Sequence, residues 1–213
     1  VSRTGSQEQE GPEHDAVLRF WFPEGSGHTT DPGQLEWWFR GGTDALVLRR
    51  FPPLLARARR GELDAWSRAP RSRLALILVL DQFPRTIHRG SAEAFSSDPQ
   101  AQALALEGLD NGHYAALETP WEKTFFFLPL GHSEDLAHQQ RAVALAEALA
   151  RDAAPAERAI LEHSASQARG HRDVIARFGR HPHRNAALGR VSTREEQAYL
   201  ATGQLVHTRP FRG

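Results

Sequence analysis

Between its two flanking prolines the chain reads PRSRLALILVLDQFP, from Pro70 to Pro84. From Leu74 to Leu80 no polar residue interrupts it. A segment of this kind has no face to offer to water, so the remaining elements must be arranged around it. Periodicity alone does not separate a buried helix from a buried strand here. The length, the Leu and Ala content and a proline at the first helical position predict a helix, apolar all round and ended at Pro84. The run is far too short to span a bilayer.

Around this centre the sequence reads as helices. Asp15 is placed to cap a short one from Ala16 to Phe22, before Pro23. EGSGHTTDPG is a loop, and Gln34 to Arg40 is a short helix. Thr43 opens a further helix that Pro52-Pro53 kinks or divides, and Gly61 to Arg68 adds a helical turn. Ser97 caps DPQAQALALEGL, which Asn111-Gly112 closes. Thr119-Pro120 opens WEKTFFFL. Ser133 is the expected cap of a long helix with acids in its first turn, and Ala154 to Phe178 gives a second. Ser192 with Glu195 reads as the capping box of a last short helix. No other run alternates at period two and no fixed-period repeat stands out, so the expected fold class is all-α, without a regular sheet. Residues 1–14 read as a disordered tail and 15–213 as one domain.

Composition narrows the chemistry. The formal net charge is zero, so no nucleic-acid or acidic-lipid partner is expected. VSRTGSQEQEGPEH has no apolar core for a signal peptide, which makes the cytoplasm the expected location. The absence of Cys excludes disulfides, thiolate metal sites, Cys nucleophiles and c-type haem attachment. Lys123 is the sole Lys, so Schiff-base chemistry would need it or the N-terminus. No phosphate loop, nucleophile elbow or dinucleotide fingerprint is present.

Several pieces occur in a familiar order: VLRFWF (Val17–Phe22), WWF (Trp37–Phe39), ELDAW (Glu62–Trp66), LDQFPR (Leu80–Arg85), LPLGHSED (Leu128–Asp135), HRDVIARFGRHPHRN (His171–Asn185) and LGR (Leu188–Arg190). The ordered set resembles the bacterial family called domain of unknown function 924. That resemblance implies an all-α fold of the tetratricopeptide-like superhelical kind and supplies no reaction. Two positions depart from the family pattern. His181 stands where the family usually has Phe, and Leu130-Gly131 where it has an aromatic residue and Met. Both departures imply a roomier or more polar neighbourhood.

The residues that carry chemistry fall in three places. Asp81, at the end of an apolar helix, is expected to be buried and therefore paired, with Arg85 and Arg89 as candidates. An Asp–Arg clamp and a ligand anchor both satisfy that need. His132, set before a helix start, and Glu134 read as an acid/base pair with an anion held nearby. As metal ligands, His132, Glu134 and His138 lack a familiar spacing, so no metal site is assigned. His163 and His171 lie eight residues apart, about 80° on a helix, and so face one region at different heights. The stretch FGRHPHRN then offers Arg180, His183, Arg184 and Asn185, either as clamps between helix ends or as a wall that recognises an anion.

The expected function is therefore an enzyme acting on a small anionic molecule. His132, Glu134, His171 and His183 would carry acid/base chemistry, and Asp81, Arg85, Arg89, Arg180 and Asn185 would bind substrate. No cofactor is favoured; a His-ligated metal or haem is the variant. The competing expectation is a non-catalytic module that grips peptides in a groove. Geometry separates the two. His132, Glu134, Arg180 and His183 converging around an enclosed cavity favours the enzyme; separate helix-end clamps with an open groove remaining favour the module.

Overall fold

In the computed structural model, residues 12–203, 205 and 206 are described. They form ten α-helices and no strand: α1 (Glu13–Trp21), α2 (Pro32–Phe39), α3 (Asp44–Arg50), α4 (Pro52–Arg59), α5 (Pro70–Ile87), α6 (Asp98–Asp110), α7 (Pro120–Gly131), α8 (Leu136–Arg151), α9 (Arg158–Phe178) and α10 (Arg194–Ala201). Most of the expected tail lies outside the described residues. Its last two residues belong to α1, which begins at Glu13, so Asp15 sits inside the first turn instead of capping it.

The apolar run is the hub. Leu74 to Val79 are at most 2% exposed, and α5 packs against α1, α3, α4, α6 and α7. Fully burying a Leu or Ile of this kind stabilises by about 1.5–3 kcal/mol per side chain. The helix does not stop at Pro84, as expected, but carries it inside and runs on to Ile87. A proline removes one N–H bond and crowds the carbonyl four residues back. Here the following turn is held from outside. Arg85 reaches Asp81 and Asp98, and the Thr86 hydroxyl donates to Asp44.

Helix starts shifted wherever two candidate caps lie close together. Asp135, in extended backbone, caps α8 by accepting from the N–H groups of Ala137 and His138. Ser133 instead accepts from the Asp135 N–H and bonds His138 Nδ1. Likewise Thr193 and Glu196 form the capping box of α10, not Ser192 and Glu195. Glu196 is buried and also takes the Arg180 guanidinium, which decides the register. Ser97 precedes α6 but makes no cap bond; its hydroxyl accepts from Arg59. Pro52-Pro53 divides rather than kinks, leaving α3 and α4 on either side of Phe51. The second long helix starts at Arg158, after a turn in which the Ala154 carbonyl accepts from Glu157 and Arg158.

Two glycines report on packing in opposite ways. A Cβ on Gly108 would lie 2.8 Å from Arg73 Cδ and closer still to the Phe126 ring, whereas one on Gly131 would meet nothing within 4 Å. Gly108→Ala is therefore expected to cost about 1–3 kcal/mol through overpacking, despite the better helix propensity of Ala. Gly131→Ala is expected to be neutral or to stabilise by up to about 1 kcal/mol. Urea-unfolding midpoints of both variants check the pair.

Candidate active site

Asp81 lies near the C-terminal end of α5, with its side chain 1% exposed. Its neighbours satisfy it from three directions. His132 Nδ1 is 2.8 Å from Oδ1, Arg85 is 3.3 Å away, and the Gln82 amide donates to Oδ2. Burial alone would raise the carboxyl pKa, but the His132 imidazole bonded to it, the Arg85 guanidinium and the Gln82 hydrogen bond outweigh it and hold the group well below its usual range. Asp81 is thus an ionised acceptor, which requires His132 Nδ1 to carry the proton. Burial lowers the His132 pKa and Arg85 lowers it further, against the opposing pull of Asp81. The imidazole is neutral at pH 7, and Nε2 holds the lone pair.

His132 is the residue that closes α7, its N–H bonded to the carbonyls of Leu128 and Pro129. It does not sit at the start of α8, so an anion site on that helix start is not what positions it. Behind it a second layer fixes the geometry. Arg85 holds Asp98 through two bonds of 2.9 and 3.2 Å. Arg184 donates to the same carboxylate at 3.1 Å and to the His132 carbonyl at 2.9 Å. Burial and the nearby Arg85 lower the Arg184 pKa to about 10.

In front of His132 is a cavity of about 720 Å³. Gln82, Arg85, Thr86 and Arg89 from the end of α5, with Asp44 of α3, form one wall. Ile160, His163, Ser164, Gln167, Ala168 and His171 of α9 form another, spaced as a single helical stripe. Aromatic side chains of α2 and α7, Trp38, Phe39, Trp121 and Phe127, close it. His171 Nδ1 donates to the Gly131 carbonyl at 3.3 Å, and Arg89 pairs with Asp44 at 2.7 Å rather than with Asp81.

Of the residues expected to carry catalysis or bind substrate, Arg85, Arg89, His132 and His171 line this cavity, with His163 beside them on α9, and Asp81 stands directly behind His132. The others do not line it. Glu134 is not the partner of His132; it forms a two-bond pair with Arg190 at 2.7 and 3.0 Å and accepts from the His181 N–H. Arg180 grips Glu196. Asn185 bonds Ser192, Glu196 and Arg190. The His183 ring lies 5.3 Å from that of His181. FGRHPHRN is therefore chiefly a clamp on α10 and α6; Arg184 reaches His132 through its backbone carbonyl, and the His181 ring lies 5.7 Å from that of His171. Among the described residues no three His, Asp or Glu side chains gather as metal ligands.

Sequence reasoning passed over Gln82, Thr86, Asp44 and the aromatic wall, and left His163 without a role. The α9 stripe was available in the spacing of His163, Gln167 and His171. Asp44 and Trp121 had no local signal, because their neighbours come from distant segments.

The family model for a bacterial protein of unknown function, DUF924, matches residues 17–204. Among solved structures, that of the protein of unknown function ATU0120 from Agrobacterium tumefaciens is 37% identical, with a TM-score of 0.71 over 89% of this chain and 97% of that one. No curated protein matches. Among the described residues no helix is long and apolar enough to cross a membrane.

His181 is 2% exposed, and its Nε2 is buried with no hydrogen-bond partner. Burial, with Arg184 and the adjacent histidines adding to it, holds this imidazole neutral far below its usual range. An orphaned buried polar atom costs about 1–3 kcal/mol, so His181→Phe is expected to stabilise at pH 7 by a like amount. The unfolded chain takes up a proton near pH 6.5 and the folded one does not. Wild-type stability contributed here is present above that pH and lost below it. Urea unfolding at pH 7 and pH 5 should therefore show the advantage of the variant widening in acid.

Proposed function

The chain belongs to this bacterial family of unknown function, which lends it no reaction, and we propose that it is an enzyme acting on a small anionic molecule by acid–base chemistry. One observation carries the reading: a buried carboxylate, Asp81, holds a neutral imidazole, His132, at 2.8 Å, and His132 opens onto a cavity of about 720 Å³. Carboxylate–imidazole pairs of this form fix the tautomer, leaving Nε2 as the proton acceptor, and stabilise the imidazolium that forms when it takes the proton. Asp81 is the positioning residue and His132 the base, later returning the proton as acid. Arg85 and Arg89 share the wall beside His132 and supply the positive side toward which an anionic group turns. His171, tied to the Gly131 carbonyl, faces the same space from α9.

Glu134 has no part in this reading, since Arg190 and the His181 N–H occupy both of its oxygens. The variant that joined His132 and Glu134 around a metal or haem loses its shared ligand set for the same reason. A second reading, a non-catalytic binding module, is favoured by the clamps made by Glu134, Arg180 and Asn185, which are the arrangement expected of it. The two differ in whether a molecule that binds the cavity is also turned over.

Heteronuclear NMR of the imidazoles tests the base without a substrate. His132 is expected as the Nδ1–H tautomer, titrating below 6.5; an Nε2–H form, or titration above that value, sinks the assignment. On a substrate found by thermal-shift screening of small carboxylates, Asp81→Asn is expected to lower kcat by about 10²–10⁴-fold with a smaller change in KM. Circular dichroism of the variant confirms that the fold survives. A binder that is never converted favours the module.

A further inference from the structure

The cavity is built in two unlike halves, and both bear on its occupant. On the same lining as the polar side chains, Trp38 and Trp121 lie with ring centroids 5.2 Å apart. Phe39 lies 6.3 Å from Trp121 and stacks on Phe125 at 5.5 Å and 12°. Phe39 is nonetheless 46% exposed. A large ring left half bare on a cavity wall, with an aromatic cluster behind it, is apolar surface that a ligand would cover. Rings meet such a cluster edge-on or offset, which favours a flat aromatic body over a flexible chain of equal size.

Charge sets the other limit. Every cation on the α5 wall already has a carboxylate partner: Arg85 has Asp81 and Asp98, and Arg89 has Asp44. Arg40 and Glu36, also on the lining, add one charge of each sign. The site is close to balanced. A compact dianion would meet these arginines only in the company of their carboxylates, whose repulsion grows with each added charge. Arg85 uses its two terminal nitrogens on Asp81, Asp98 and the Ala94 carbonyl, so a single carboxylate meets the more exposed Arg89, whose guanidinium has donors beyond its pair with Asp44.

We infer that the cavity takes a planar aromatic ring bearing one carboxylate, the ring against Phe39, which Trp38 and Trp121 back, and the carboxylate toward Arg89. This deepens the acid–base reading and rests on it for the role of His132, but not for the shape of the ligand.

The test uses the full chain and isothermal titration with phenylacetate, indole-3-acetate, hexanoate and phenyl phosphate. The two aryl carboxylates should bind about three- to tenfold more tightly than hexanoate, and phenyl phosphate most weakly. Phe39→Ala should erase the aryl preference, weakening the two aryl carboxylates more than hexanoate. The inference is overturned if hexanoate binds as well, if phenyl phosphate binds best, if the preference survives Phe39→Ala, or if nothing binds below about 10 mM. The pH dependence separates this result from the role of the base. Phenylacetate affinity should rise as pH falls through the His132 titration, and His132→Gln should remove that rise. Ring preference without the pH dependence sinks the role of His132 and leaves the ligand class standing. The pH dependence without ring preference does the reverse.

Discussion

A full negative charge near the C-terminal end of the central helix α5 is the constraint around which the molecule is organised. Asp81 cannot be left unpaired in such a place; an isolated buried carboxylate would give up its charge instead. The groups that keep it ionised come from its own helix and from the end of α7. Those groups bring others with them. Arg85 draws in Asp98 from the start of α6, and Asp98 draws in Arg184 from beyond α9. The arginines then stack on Phe95, with centroid distances of 4.6 Å for Arg184 and 5.7 Å for Arg85. One buried charge thus fixes where three distant stretches of chain must meet.

That network also explains why a proline inside α5 is tolerated. Pro84 removes the backbone bond to the Leu80 carbonyl, and the ion pair between Asp81 and Arg85, one residue further on, braces the turn it weakens. Breaking a buried pair by removing one partner typically costs 3–5 kcal/mol, because it strands the other charge. The helix end, the base and the cavity wall therefore stand or fall together.

How much was legible in the sequence depends on the range over which each signal acts. The all-α class, the central helix and the break at Pro52-Pro53 were readable because apolar runs and prolines act locally. So was the need for Asp81 to be paired. Caps were less so: Ser133 and Asp135, or Ser192 and Thr193, satisfy the same local rule, and a distant side chain such as Arg180 chooses between them. The partner of His132 was beyond local reading. Glu134 lay two residues away and Asp81 fifty-one, and the nearer acid was claimed by Arg190 from the far end of the chain. FGRHPHRN showed its composition plainly but not its direction, since an Arg fork serves a clamp and an anion site alike. The aromatic wall was hidden by a sound default, that such residues are core; Trp38 and Trp121 are indeed buried, and Phe39 alone is half bare.

The contact from Arg184 to the His132 carbonyl joins residues fifty-two apart. It carries a consequence for how the protein is made. The proton acceptor and its carboxylate both leave the ribosome well before the arginine that steadies them from behind, and the clamps on Glu134 and Glu196 close later still. A nascent chain that has already formed its hub helix therefore holds a loosely set imidazole beside an incomplete wall. Order around His132 therefore waits on residues 184–196, and a chain stopped short of them holds the imidazole without its brace.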